Sequence, residues 1–359
     1  MSIPKTMRAV RVHGVEDYRL EEVPVPAVGP GEVLVRVLAS GVCASDVKTY
    51  IGARVWGSSE IAPYIQPPVT PGHEFVGEVV ALGEGAAENS GVQLGDWAVS
   101  EQIVPCWECR FCRRGQYWMC QRHDIYGFIK DRAEGSWAEY MVFPANAINH
   151  RVPQDLTAEE AALIEPMACA VHAVQRGEIQ LGDTVVVAGM GPIGLGMLQV
   201  ARLKGPGTLI ALDMKPKRLE LARCLGADLA IDVSEEDAIR RVMDLTDGYG
   251  CDVYIEATGA APAVNQGLQM LRRLGTFVEF SVHAQPATVD WSVIGDVKEL
   301  NIHGSHLGPY SYPLAIEYLR SGAIDGKALV SHVLPLERYE EAIDIAHRGD
   351  DSIKVILKP

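Results

Sequence analysis

The sequence predicts an α/β chain in which a mostly-β unit is followed by a doubly wound parallel sheet. Three observations carry that expectation. Up to about residue 160 the apolar runs are short, as in EVLVRVLAS, FVGEVVALG and DWAVSEQIV, and glycine and proline turns separate them. From about residue 165 the runs TVVVAGMG, TLIALD, DLAIDV, CDVYIEATG and TFVEFSV alternate with LQVARLKG, RLELARCLG and NQGLQMLRRLG. The latter three have helical periodicity and end at glycine, and such alternation builds a parallel sheet. After about residue 305, PLAIEYLRSGAI, HVLPLERYEEAIDIAHRG and SIKVILKP read as a return to the first unit. The expected division is 1–162, 163–306 and 307–359. The first part reads as a barrel-like or partly closed antiparallel unit. Pro286 to Trp291 and Leu300 to Gly304 are the expected late edge strands.

Composition narrows the function classes. The chain has 359 residues, 48% apolar and 22% charged, with a formal net charge of −15. That charge argues against nucleic acid or an anionic membrane as partner and leaves a small molecule open. Residues 184–201 carry no charge, but the run contains Gly189, Gly191, Pro192, Gly194 and Gly196. A buried strand and a following helix explain it better than a membrane span. The amino terminus, MSIPKTMRAVRVHG, lacks the apolar core of a signal peptide.

Eight cysteines are present, and Cys106, Cys109, Cys112 and Cys120 fall in one run, CWECRFCRRGQYWMC. The spacing C-x2-C-x2-C-x7-C in a polar loop suits the closed tetrahedral shell of a structural Zn2+. Cys43, Cys169, Cys224 and Cys251 are scattered. Metal-bound and free thiols favour a reducing compartment, so the cytoplasm is expected.

Gly189-Met190-Gly191-Pro192-Ile193-Gly194 is G-x-G-x-x-G between a β-branched run and a helical one. In that context Gly189 permits a tight turn, Gly191 lets backbone approach a pyrophosphate, and Gly194 packs helix on strand. Asp213 ends the next strand, 19 residues after Gly194. Its carboxylate would accept from both adenosine ribose hydroxyls and repel a 2′-phosphate, which favours NAD. Lys215, Lys217 and Arg218 follow and keep NADP open.

Gly41-Val42-Cys43-Ala44-Ser45-Asp46 and Pro71-Gly72-His73-Glu74 form a second constellation. Cys43 and His73 are suitable zinc ligands, and Glu165 offers an oxygen. Three protein ligands and a water make an open, reactive site.

On these motifs, with GSWAEYMV, IEATG and the closing IKVILKP, nearly the whole chain resembles the zinc-containing medium-chain dehydrogenase/reductase family. Within it the polyol (sorbitol-type) and threonine dehydrogenase branch is the most similar. The resemblance implies a GroES-like, mostly-β catalytic domain and a Rossmann domain. It implies NAD and two Zn2+ per subunit, one catalytic and one structural. Cys43 and His73 become ligands of the catalytic zinc, with Glu74 and Glu165 as candidates to complete its shell. Asp46 is expected to accept from the far nitrogen of His73, and Ser45 to touch the substrate hydroxyl and start the proton relay. Gly189, Gly191, Pro192, Ile193, Gly194, Asp213, Arg218, Thr258 and Val282 make up the cofactor-binding set. Lys354 is expected near the cofactor phosphates or Glu74. The implied reaction is NAD-linked oxidation of a secondary alcohol in a short alditol, with erythritol or threitol as the guess. Threonine, a diol or a simple alcohol is the alternative substrate. A homo-oligomer, tetramer or dimer, is also implied.

Several features depart from the family pattern. Cys169 stands four residues after Glu165, on the same face if the segment is helical, so either residue reaches the metal. Lys48 stands where a relay histidine is common. His303-Gly304-Ser305-His306 replaces a run that carries a substrate-binding arginine. The segment from Ala53 to Pro68, with Trp56 and Tyr64, is longer than in many relatives and is expected to reshape a pocket wall or a subunit contact.

Overall fold

A computed structural model describes residues 3–53, 65–283 and 285–359. The expectation placed on Trp56 and Tyr64 lies outside the described residues. The chain divides into two compact units, one of residues 1–165, 312–322 and 326–359, the other of residues 166–311 and 323–325.

In the first unit the strand Val33–Val42 is the hub. Its sequence VLVRVLASGV is buried along almost its whole length, as a strand covered on both faces must be. It pairs antiparallel with Phe75–Leu82 and, through its first half, with Tyr140–Phe143. At its far end it pairs with Lys354–Lys358. Trp97–Ser100 and Asn149–Val152 extend the sheet on one side. Val330–Pro335 extends it on the other and is the parallel exception to the expected antiparallel pattern. Phe75, Tyr126 and Phe143 fill the interior with ring centroids 5.3 to 6.3 Å apart. The register decides where chemistry can sit. Ser40 pairs with Phe75, and Val42 with Val355, so Cys43, Glu74 and Lys354 all fall at one end of the sheet.

The second unit is a six-stranded parallel sheet in the order Leu229–Asp232, Thr208–Asp213, Thr184–Ala188, Cys251–Glu256, Leu271–Glu279, Asn301–Gly304. The order reverses between Thr184–Ala188 and Cys251–Glu256, the switch point beside which such sheets take ligands. Val186, Ile210, Leu212, Tyr254 and Phe277 belong to its apolar core. Tyr254 stacks on Phe277 and satisfies its hydroxyl by donating to the Ala263 carbonyl at 3.0 Å.

The uncharged run 184–201 is indeed a strand, Thr184–Ala188, and the start of a helix, Pro192–Arg202. No helix among the described residues is long and apolar enough to cross a membrane. Two expectations fail locally. NQGLQMLRRLG does not stay helical to its glycine: the helix Ala261–Met270 stops and the strand Leu271–Glu279 begins at once. Lys298 Nζ donates to the carbonyls of Leu268, Gln269 and Leu271 at 2.6–2.8 Å, closing the helix from outside the segment. Residues 286–290 form no strand, so Asn301–Gly304 alone edges the sheet on that side.

Candidate metal and cofactor sites

Cys43 follows the hub strand and opens the helix Ala44–Tyr50. Its N–H donates to Asp46 Oδ2 at 2.9 Å, which fixes the turn. His73 and Glu74 precede the strand Phe75–Leu82, and the Gly41 N–H donates to the Glu74 carbonyl at 2.7 Å. Donor atoms of Cys43, His73 and Glu74 lie within 4.8 Å of one another. Residue 41 must be glycine here, since a Cβ would sit 2.0 Å from Glu74 Oε2.

The electrostatics describe a pocket that wants positive charge. Burial alone would depress the His73 pKa, but the adjacent Cys43 sulfur and the Asp46 and Glu165 carboxylates outweigh it and hold it well above the usual value. Asp46 Oδ1 is 3.8 Å from His73 Nδ1, so the expected hydrogen bond is a charge contact only. The Asp46 carboxylate is already turned toward the Cys43 N–H. His73 Nδ1 and Ser45 Oγ are buried without a hydrogen-bond partner among the described residues. Glu74 is engaged by a buried lysine. Lys354 Nζ donates to its two oxygens at 2.7 and 2.5 Å and to the Val42 carbonyl at 3.2 Å. Of the two locations expected for Lys354, the structure takes the one beside Glu74. Glu165 is buried and outside the tight cluster of Cys43, His73 and Glu74. Cys169 is buried in the second unit and is not in a disulfide, and Lys48 is half-buried. A thiolate, an imidazole and nearby carboxylates with orphaned polar atoms are a donor set that fits zinc.

The four-cysteine loop also fits. Its sulfurs lie within 4.8 Å of one another, with Cys109 and Cys112 3.5 Å apart and Cys106 and Cys112 4.0 Å apart. A tetrahedral Zn–S shell sets neighbouring sulfurs about 3.8 Å apart. Backbone N–H groups of Cys106, Cys109 and Gln121 donate to sulfurs at 3.3–3.4 Å. Backbone hydrogen bonds, that from Cys112 foremost, bring the Cys109 thiol down to about 6. Sequence reasoning missed how the loop is anchored. Tyr117 donates to Glu101 Oε2 at 2.7 Å, and Glu101 Oε1 meets His150 Nε2 at 3.0 Å. The Trp107 indole N–H donates to the Asn146 carbonyl at 2.9 Å. These partners lie 16 to 49 residues from one another in sequence, so no local pattern announces them.

In the second unit Gly189 has φ +94°, and a Cβ there would meet the Ala257 carbonyl oxygen at 2.8 Å. At Gly194 a Cβ would lie 1.7 Å from the Gly189 oxygen. Gly191 instead faces open space, with Arg218 Nη1 nearest at 4.0 Å. It starts the helix Pro192–Arg202, with Pro192 and Ile193 in its first turn and no side-chain cap, so free N–H groups there suit a phosphate. Asp213 accepts from Met190 N–H at 2.6 Å and from Met214 and Lys215 N–H at 2.8 and 2.9 Å. It thus clamps the glycine loop and retains unused acceptor capacity. The Thr258 N–H and hydroxyl both donate to Glu256, and Val282 is exposed. His303 and His306 follow in the same unit; His303 Nδ1 lies 2.7 Å from the Arg176 carbonyl.

Known dehydrogenases resemble the chain over nearly its whole length. Residues 29–154 match the alcohol dehydrogenase GroES-like domain and residues 192–321 the zinc-binding dehydrogenase family. The chain is 53% identical to an erythritol/L-threitol dehydrogenase of Mycolicibacterium smegmatis, over 99% of both chains. It is 36% identical to a sorbitol dehydrogenase of Halalkalibacterium halodurans, over 97% of both. An Escherichia coli alcohol dehydrogenase solved with NADH superposes with a TM-score of 0.87 at 27% identity, covering 99% of this chain and 100% of that one. The chain is therefore a dehydrogenase that belongs to the zinc-containing medium-chain dehydrogenase/reductase family, in its polyol branch.

Proposed function

We propose that this enzyme oxidises a secondary hydroxyl of a short alditol, erythritol or threitol, to the ketose with NAD as acceptor. The observation that carries the reading is the half-buried Cys43 held against the buried His73 and Glu74, with the Ser45 hydroxyl, unpartnered among the described residues, close by in sequence. The 53% identity to an erythritol/L-threitol dehydrogenase supports the substrate. Cys43, His73 and Glu165 would hold the catalytic zinc, because Lys354 occupies both Glu74 oxygens. Glu74 then tunes the site's charge, with Lys354 as counter-ion. When bound, zinc would supply Lewis-acid stabilisation of negative charge on the substrate oxygen and NAD would supply the hydride acceptor.

The chain's own groups do the rest. Ser45 accepts the hydroxyl proton and passes it outward. The free N–H groups after Gly191 take the pyrophosphate, and Asp213 accepts from the adenosine ribose hydroxyls and disfavours NADP. Arg218, Thr258 and Val282 line the cofactor. Cys106, Cys109, Cys112 and Cys120 hold the structural zinc.

Zinc-bound and reduced cysteines, with none of the eight in a disulfide, support a cytoplasmic enzyme. The exposed edge strand Asn301–Gly304, with Ile302 43% exposed, supports a homo-oligomer, dimer or tetramer. The test is NADH formation with tetritols, pentitols, hexitols, threonine and ethanol, before and after chelation. Chelator-sensitive turnover of tetritols is expected. Turnover of threonine or simple alcohols alone would discard the substrate, and turnover surviving loss of the catalytic metal would discard the mechanism.

A further inference from the structure

Glu256 and Glu279 end two neighbouring strands of the parallel sheet, and the register sets them directly side by side. Paired positions on adjacent strands point to one face, where two like charges repel. Glu256 is fully buried. Burial first, and then the Glu256 charge, push the Glu279 carboxyl above its ordinary value. Among the described residues neither carboxylate pairs with a lysine or arginine, and the basic side chain set against both is the imidazole of His283. His283 Nε2 lies 3.1 Å from Glu279 Oε1 and 3.7 Å from Glu256 Oε2. Its Nδ1 is buried without a partner among the described residues, while Nε2 is the atom that faces both carboxylates.

We propose that Glu256, Glu279 and His283 form a third divalent-cation site, of zinc type, on residues that neither of the other metal sites uses. The donor atoms lie within 4.8 Å of one another. Zinc bonds to nitrogen and oxygen of about 2.0–2.2 Å place tetrahedral neighbours about 3.4 Å apart. The separations of 3.1 and 3.7 Å bracket that spacing. One imidazole with two carboxylates is a borderline donor set that suits zinc better than calcium or magnesium.

The carboxylates are also held from behind, as ligating carboxylates are. Thr258 and Gly259 N–H donate to Glu256 at 2.8 and 3.1 Å, and Ser281 N–H donates to Glu279 at 3.0 Å. A cation here would tie together the segments that carry Thr258 and Val282. That consequence rests on the cofactor assignment above; the site itself does not.

The test is equilibrium dialysis of the zinc-loaded enzyme against micromolar Zn2+, with metal counted by mass spectrometry. Wild type is compared with His283→Ala and with Glu279→Gln, which keeps the size of the side chain and an acceptor for Ser281. Wild type should hold one equivalent per chain more than either variant. An equal count in wild type and either variant would overturn the site. The readout is a difference, so it stands whatever the occupancy of the other two sites.

Discussion

Lys354 Nζ contacts both carboxylate oxygens of Glu74, and both residues are almost fully buried, at 1% exposure each. They stand 280 residues apart and meet because the strand Lys354–Lys358 pairs with the end of the hub strand. Removing one partner strands the other's charge. Lys354→Met or Glu74→Gln should each cost about 3–5 kcal/mol, and the double variant less than the sum. Chemical denaturation of the four proteins measures the coupling; additive losses would show that the pair is not a unit.

The same pair sets an alkaline limit. Burial opposes the Lys354 charge, but Glu74 and Cys43 override it and raise the pKa above its ordinary 10.5. A folded-state pKa above the unfolded one stabilises the fold below the unfolded value, and that stabilisation is lost as pH rises through the folded pKa. Wild type should therefore lose stability above about pH 10.4, and the Lys354→Met/Glu74→Gln protein should lose less. Thermal melts across that range compare the two; parallel curves would remove Lys354 as the cause.

Much of this was legible beforehand, for a physical reason. The G-x-G-x-x-G loop, the cysteine run and the Cys43 and His73 motifs are local, and each residue type is demanded by its own turn, ligand or close approach. What sequence hid is set by distant partners. The end of the helix Ala261–Met270 depends on Lys298, which arrives from beyond the next strand. The pairing of Glu256 with Glu279 depends on strand register. Lys354 beside Glu74 was one of its two expected places, but that it takes both Glu74 oxygens depends on strand pairing 280 residues away. Asp46 was expected to hydrogen-bond His73, but its carboxylate turns to the Cys43 N–H instead.

Cys120→Ser should remove one zinc equivalent per chain and lower the melting temperature by several degrees. Tyr117 and Trp107 tie the loop to the rest of the unit, while its four sulfurs turn inward on one another. Metal analysis with calorimetry checks both. An unchanged count would refute the structural zinc.

Asp213→Ser should reduce kcat/KM for NAD by about 10–100-fold, the worth of charged hydrogen bonds to a ribose. NADP should lose less, because the repulsion of its phosphate is gone. Met190, Met214 and Lys215 also lose their acceptor, so the glycine loop should loosen and the apparent affinity for both cofactors should fall. The NADP-to-NAD ratio of kcat/KM separates the two effects: a general loosening leaves it fixed, and only a ribose contact raises it.

Ser45 offers the sharpest separation of function from stability. Its Oγ is buried with no partner among the described residues, and a buried unsatisfied hydroxyl costs about 1–3 kcal/mol. Ser45→Ala removes that cost and should leave the fold as stable as wild type or more so. The hydrogen bond from the Thr49 hydroxyl to the Ser45 carbonyl, at 2.8 Å, is untouched by the change. If the hydroxyl starts the proton relay, kcat should nevertheless fall by about 10²–10⁴. Zinc content and NADH affinity should stay unchanged, since neither needs the hydroxyl. A melting curve and a turnover assay on one preparation decide it. A protein that is more stable and fully active would make Ser45 a packing residue and move the relay elsewhere.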